Sequence, residues 1–237
     1  MIQFYSPLIA ETLALPPDES MHCIRVLRKR AGDEIFVTDG LGKRFKCRIV
    51  DANPKSTGLE ILSETVINKK WKCEISLIVA PTKNSDRMAW LVEKATEIGI
   101  DRILFVKTRN TERTKVNIER LRRNAISAMN QSLKTRLPQI EELGAFKSMI
   151  TMDGERFFGY CDSETERQTF VKELKPKGKI VIAIGPEGDF STEEVRELIQ
   201  SGYKAVTFGE ERLRTETAAL YAVTAIHVKE DLIKELI

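Results

Sequence analysis

Two stretches of the chain combine glycines with charged residues in a spacing that suits a small-molecule cleft. The first, Gly185-Pro186-Glu187-Gly188-Asp189-Phe190, follows the apolar run Lys179 to Ile184. If that run is a buried strand, the loop lies beyond its carboxyl end, where open parallel sheets bind ligands. Two glycines there let backbone amides and carbonyls approach a ligand with no Cβ in the way. A tight strand-to-helix turn needs the same residue types, so this loop alone leaves both readings open. The second stretch, Phe208-Gly209-Glu210-Glu211-Arg212-Leu213-Arg214, also follows a strand-like segment and runs directly into Thr215-Glu216-Thr217-Ala218. Two such loops at neighbouring strand ends, the later one opening a helix, favour a single shared pocket.

Other chemistries find less support. No GxGxxG follows a strand, so a dinucleotide fold lacks its phosphate turn. Gly40-Leu41-Gly42-Lys43 falls in an expected hairpin and lacks P-loop spacing. The two histidines, His22 and His227, fall in different expected domains, which argues against a histidine triad or a His-rich metal site. His227 sits near Val223, Ile226 and Val228 and reads as a structural residue. Four cysteines, at 23, 47, 73 and 161, form no CxxC pair and read as reduced core thiols. No metal is expected.

The net charge of +3 is too small to prove a nucleic-acid partner, but its distribution is suggestive. Basic residues gather at Arg25, Arg28, Lys29 and Arg30, at Lys107, Arg109, Arg113 and Lys115, and from Arg120 to Arg123 with Lys134 and Arg136 beyond. Such clusters neutralise phosphates, although solvated helix faces look the same. A hydrophobic share of 42% and a charged share of 31% fit a globular protein with an ordinary core. No apolar stretch is long enough to cross a bilayer. The segment Met1-Ile2-Gln3-Phe4-Tyr5 lacks the basic region and apolar run of a secretory signal, so a cytoplasmic location is the expectation.

The elements that must position the loops divide into two kinds. Up to about residue 65 the pattern is of short strands. Asp33 to Thr38 runs into the hairpin dipeptide Asp39-Gly40, after which Phe45, Cys47 and Ile49 alternate with Lys46 and Arg48. Leu59 to Leu62 supplies another strand, and a short helix is expected between Pro17 and Arg30, starting near Asp18 or Ser20. From Trp71 the pattern changes to buried runs, Ile75 to Ala80, Ile103 to Val106, Lys179 to Ile184 and Ala205 to Phe208. Helical spacing separates them. Met88, Leu91, Val92, Ala95 and Ile98 line one helix closed by Gly99, and Ile118, Leu121, Ala125 and Met129 line a second. Ser191-Thr192-Glu193-Glu194 has the form of a capping box, and a long helix begins near Thr215. Alternating strands and helices predict a mostly parallel sheet covered on both faces. The boundary between the two parts falls near Val66 to Lys72.

Several of these segments occur together in one known family. Lys83 through Arg87, Glu93-Lys94-Ala95-Thr96-Glu97-Ile98-Gly99-Ile100, Gln131-Ser132, the Gly185 to Gly188 loop and Leu213-Arg214-Thr215-Glu216-Thr217-Ala218 resemble, in order and spacing, the ribosomal RNA small-subunit methyltransferase E family. That resemblance covers nearly the whole chain. It implies S-adenosyl-L-methionine-dependent methylation of N3 of a uridine in 16S ribosomal RNA. It also implies a PUA-like RNA-binding β-barrel over residues 1–68, a SPOUT-type α/β domain with a C-terminal trefoil knot over 72–237, and a homodimer. By position, Ile184, Gly185, Gly188, Phe208, Gly209, Leu213 and Thr217 would line the cofactor pocket. His22, Arg25, Arg28, Gln131 and Lys134 become candidates for RNA contact, with helix packing the alternative for His22.

The chain also departs from the family pattern. Asn130 stands where members often carry Glu before Gln-Ser, Leu133-Lys134 replaces Gly-Arg after it, and Glu211-Arg212 replaces Arg-Ile. Lysine keeps the charge but loses the planar fork that grips phosphate. For the chemistry, Arg214 is the candidate to stabilise charge spreading to the uracil carbonyls, and Glu216 or a water the candidate to take the N3 proton. A capping or salt-bridge role for that pair is the alternative. A non-catalytic RNA-binding assembly factor, or an enzyme of the same fold acting on transfer RNA, would share many of these features.

Overall fold

A computed structural model describes residues 2–112, 115–161 and 166–235. They form two compact units, one of residues 1–70 with 126–137, the other of 71–125 with 138–237.

The first unit contains β1 (Gln3–Tyr5), α1 (Ile9–Thr12), α2 (Pro17–Met21), β2 (Glu34–Thr38), β3 (Lys43–Asp51) and β4 (Gly58–Val66). Its four strands lie in the order β1-β2-β3-β4, with β1 and β2 parallel and the remaining pairs antiparallel. The period-two pattern of β3 sends Phe45, Cys47 and Ile49 into a core with Phe4, Ile35, Val37 and Leu59. The helix expected at Asp18 or Ser20 starts at Pro17, whose fixed φ suits a first helical position. It passes directly into a π-helical turn, His22–Val26, that nothing in the local sequence announces.

The unit is discontinuous in sequence. Residues 132–137 pair with the tip of the β2–β3 hairpin: Gly42 N donates to Thr135 O at 2.8 Å and Leu137 N to Gly40 O at 2.9 Å. Gln3 Nε2 donates to Lys134 O at 2.6 Å, and Arg44 Nη2 donates to Leu133 O. These bonds join residues some ninety or more positions apart, which is why composition places the boundary near Val66 to Lys72 and misses the returning segment.

The second unit runs β5 (Glu74–Val79), α3 (Ser85–Ile98), β6 (Arg102–Lys107), α4 (Ile118–Gln131, its last residues counted with the first unit), β7 (Gln139–Ala145), α5 (Lys147–Ile150), β8 (Glu155–Gly159), β9 (Gln168–Thr169), α6 (Phe170–Glu173), β10 (Lys179–Ile184), α7 (Thr192–Gln200), β11 (Lys204–Thr207) and α8 (Thr215–Glu235). Among the described residues seven strands lie in the order β7-β6-β5-β10-β8-β11-β9, and each pair is parallel. Residues Ile75, Leu77, Ile180 and Ile182 on its central strands are fully buried, as near-continuous apolar runs require.

Helix α3 is capped by the Asn84 side chain, which accepts from Asp86 N, and ends at Gly99 with φ 127°. A Cβ there would lie 2.8 Å from the Trp71 ring, so glycine is required twice over. His227 is structural as expected: its Nε2 lies 2.7 Å from Gly99 O and its ring meets Trp71 edge-on. Helix α8 is fastened near its far end, where the Glu230 carboxylate accepts Lys72 N and Cys73 N. Cys23, Cys47 and Cys73 are buried thiols, but Cys161 is exposed because it lies in the loop beyond β8, a correction to the expectation for that residue.

Candidate functional site

The turn after β10 is fastened from four sides. Asp189 N donates to Pro186 O, which closes the turn and leaves Asp189 at φ 59°. The Asp189 carboxylate accepts Phe190 N at 2.8 Å and Cys161 N at 3.0 Å, so it ties the loop after β8 to the turn after β10. Burial raises this carboxyl above its ordinary value, against the opposing pull of those two amides. Asn110 Nδ2 donates to both Gly188 O and Asp189 O at 3.0 Å. The expected capping box is present, with Ser191 and Glu194 satisfying each other's amides. The other oxygen of Glu194 accepts Arg109 N at 2.8 Å. Lys83 N donates to Glu187 Oε1, which brings in the loop after β5.

The stretch Phe208–Arg214 reaches the same place from β11. Gly209 adopts φ 134°, and Thr207 Oγ1 donates to its carbonyl at 2.7 Å. The Phe208 ring packs edge-on against Phe170 and tilted against Tyr221. It also covers Gly159, where a Cβ would lie 2.6 Å from Phe208 Cε2. At the start of α8, Thr215 Oγ1 donates to Gly185 O at 3.1 Å in a buried setting. That one bond joins the two glycine-bearing loops singled out in the sequence.

The end of β8, Gly159-Tyr160-Cys161, is a third wall that sequence reasoning missed. The available signal was the run Phe157-Phe158 ending on a glycine. Its charged start, Glu155-Arg156, hides the strand from an apolar-run criterion.

Ile184 and Gly185 are buried at this convergence, Phe208 and Leu213 are half-buried, and Gly188, Gly209 and Thr217 are exposed. Arg214 is exposed, and its carbonyl accepts Ala218 N. Glu216 does not stand at a pocket mouth. It is only 7% exposed, and its Oε1 lies 3.5 Å from Arg87 Nε, because the first turn of α8 points that side chain at α3. His22, Arg25 and Arg28 are exposed in the first unit, and His22 meets Phe4 edge-on. Gln131 and Lys134 belong to that same unit through the returning segment. The basic clusters are partly engaged: Lys29 with Asp33, Arg109 with Glu193 and Arg120 with Asp86. Arg113 lies outside the described residues.

The departures take on physical meaning. Asn130 donates through Nδ2 to the Glu19 carboxylate, which also accepts Tyr5 N. A glutamate at 130 would face Glu19 with a like charge. Leu133, where the family often has glycine, sits at φ 55° in the left-handed region. Among the described residues no group of three or more His, Cys, Asp or Glu side chains is placed to hold a metal ion, and no helix is long and apolar enough to cross a membrane.

An RNA methyltransferase domain model matches residues 69–227. The chain belongs to the RNA methyltransferase family. A second model, of the RNA methyltransferase PUA domain, matches residues 15–62. This RNA methyltransferase is 38% identical to a crystallised probable rRNA-methyltransferase from Porphyromonas gingivalis, with a TM-score of 0.92 over 98% of this chain and 100% of that one. It is 28% identical to a ribosomal RNA small subunit methyltransferase E from Neisseria gonorrhoeae crystallised with S-adenosyl methionine, with a TM-score of 0.81 over 96% and 97% of the two chains. The protein of that same name from Bacillus subtilis is 25% identical over 241 residues, 95% of this chain and 93% of its own. The RNA methyltransferase therefore has the expected fold class, a SPOUT-type parallel α/β domain preceded by a PUA-like β module.

Proposed function

We propose that this enzyme transfers a methyl group from S-adenosyl-L-methionine to N3 of a specific uridine in 16S ribosomal RNA. The observation that supports this reading is the buried Thr215 to Gly185 bond, which holds the two glycine-bearing loops together. The residues present fit a main-chain-lined site for that donor. At Gly159 a Cβ would lie 2.6 Å from Phe208, so glycine admits that ring to the end of β8, whereas at Gly209 nothing lies within 4 Å and the backbone of the second loop is left open. Ile184, Gly185, Gly188, Phe208, Gly209, Leu213 and Thr217 would hold the donor. The trefoil threading implied by the family resemblance belongs to the same reading.

When bound, the donor supplies an electrophilic methyl carbon for in-line displacement by nitrogen. The protein's tasks are alignment, exclusion of water and management of the N3 proton. Arg214, exposed at the entrance to α8, would stabilise negative charge spreading to the uracil carbonyls. With Glu216 buried against Arg87, water becomes the acceptor of the N3 proton. Exposed His22, Arg25 and Arg28, with Gln131 and Lys134 in the same unit, would contact RNA.

A cytoplasmic homodimer completes the reading. Tyr221, Val228 and Leu232 form an exposed apolar stripe at helical spacing on α8 that a second copy would cover. Mass spectrometry of 16S ribosomal RNA from a deletion strain is expected to show loss of one N3-methyluridine, restored by the wild-type gene and not by Arg214→Ala. An unchanged modification profile in the deletion strain would overturn the proposal.

A further inference from the structure

Glu216 is a carboxylate without adequate company. It is 7% exposed, and its Oε2 has no hydrogen-bond partner among the described residues. A buried charge in that state is tolerated only beside a compensating group. Two features supply compensation. Glu216 lies in the first turn of α8, where the helix dipole favours an anion. Arg87, from the first turn of α3, brings its Nε to 3.5 Å from Oε1.

This pairing has a geometric consequence one residue away. Thr215, adjacent to Glu216, makes the bond to Gly185 O that joins the two loops, and Phe208–Arg214 immediately precedes it. Whatever fixes the first turn of α8 therefore fixes the cleft. Arg87 lies in the Lys83 to Arg87 motif, contributes to none of the three cleft loops, and is otherwise unexplained.

We propose that Arg87 is a positioning residue for the donor cleft: its charge compensates the buried Glu216 carboxylate, which lets the first turn of α8 stay docked and so keeps Thr215 against Gly185. The inference rests on the reading of that cleft as the S-adenosylmethionine site. A packing role would be lost on truncation whatever stood at 216. A charge-compensating role is rescued when the stranded carboxylate is neutralised.

The test is calorimetric titration of S-adenosylmethionine into wild-type protein, Arg87→Ala, Glu216→Gln and the double variant. Thermal unfolding of each variant checks the fold. Arg87→Ala should weaken binding by roughly tenfold, since truncating the partly exposed guanidinium leaves the buried Glu216 carboxylate without its counter-charge. The double variant should recover most of that loss, and in turnover assays the effect should fall on KM for the donor more than on kcat. Should Arg87→Ala not fold, Arg87→Gln with and without Glu216→Gln gives the same comparison, because glutamine removes the charge while keeping much of the side chain. A first variant that binds within twofold of wild type overturns the proposal, and so does a double variant as weak as the single. Absence of binding by the wild-type protein would overturn the cofactor reading itself, and this proposal with it.

Discussion

The cleft loops and the returning segment 126–137 solve the same problem, holding irregular backbone in place, by opposite means. In the cleft, glycine stands wherever another chain segment comes close, as at Gly159 beneath Phe208. In the returning segment, Leu133 takes a left-handed φ of 55°, and Gln3 and Arg44 reach across to hold the carbonyls around it. At Gly159 the first arrangement leaves no room for an added atom. The second tolerates a strained residue because side-chain donors over-determine the backbone.

The strongest way to break this contrast is Gly159→Val. Its Cβ must displace a Phe208 ring already packed against Phe170 and Tyr221. Overpacking of this kind costs about 1–3 kcal/mol, so donor affinity should fall by up to on the order of 100-fold, read by calorimetry. Retention of wild-type affinity would show that the cleft walls are as pliable as the returning segment.

An intermediate effect is expected at Glu19, which anchors Asn130 in the returning segment. Burial pushes its carboxyl up to about 7, against bonds from Tyr5 N and Asn130 that favour the charge. Because the folded value lies above the unstructured value of 4.5, this group's contribution to stability is complete below 4.5 and lost as pH rises through about 7. Melting temperature should therefore fall between pH 5 and 8. Glu19→Gln should flatten that slope, removing a pH-dependent difference on the order of 2–3 kcal/mol. Equal slopes in both proteins would place the titration elsewhere.

The smallest effect sharpens the comparison from the other side. Leu133→Gly relieves the left-handed conformation and should stabilise the fold by up to about 1 kcal/mol, measured by denaturant unfolding. A loss of stability would mean that the looser unfolded chain of the glycine variant outweighs the relieved backbone strain.

What was legible in the sequence follows the range of the interactions involved. The Ser191 capping box, the Gly99 stop and the buried runs of β5, β6 and β10 depend on residues a few positions apart, and each is found where its pattern places it. The two glycine loops were legible as loops. The expectation of neighbouring strand ends is corrected by β8, which lies between β10 and β11, and the Thr215 hydroxyl that joins the loops carries no signal in the local sequence. β7 escaped notice because it is an edge strand with a half-polar sequence, and β8 because its first residues are charged. Glu216 was misplaced for a different reason. Sequence order puts it beside Arg214, but the 100° step of a helix turns neighbours to different faces.

Helix α8 is stitched to the sheet at both extremities, to Gly185 near its beginning and to the amides of Lys72 and Cys73 near its finish. Helix α8 is thus a strut that braces two separate parts of the second unit. All eleven strands among the described residues precede Thr215, so removing α8 would spare every strand and cost the loops at Gly185 and at Lys72–Cys73 their common brace.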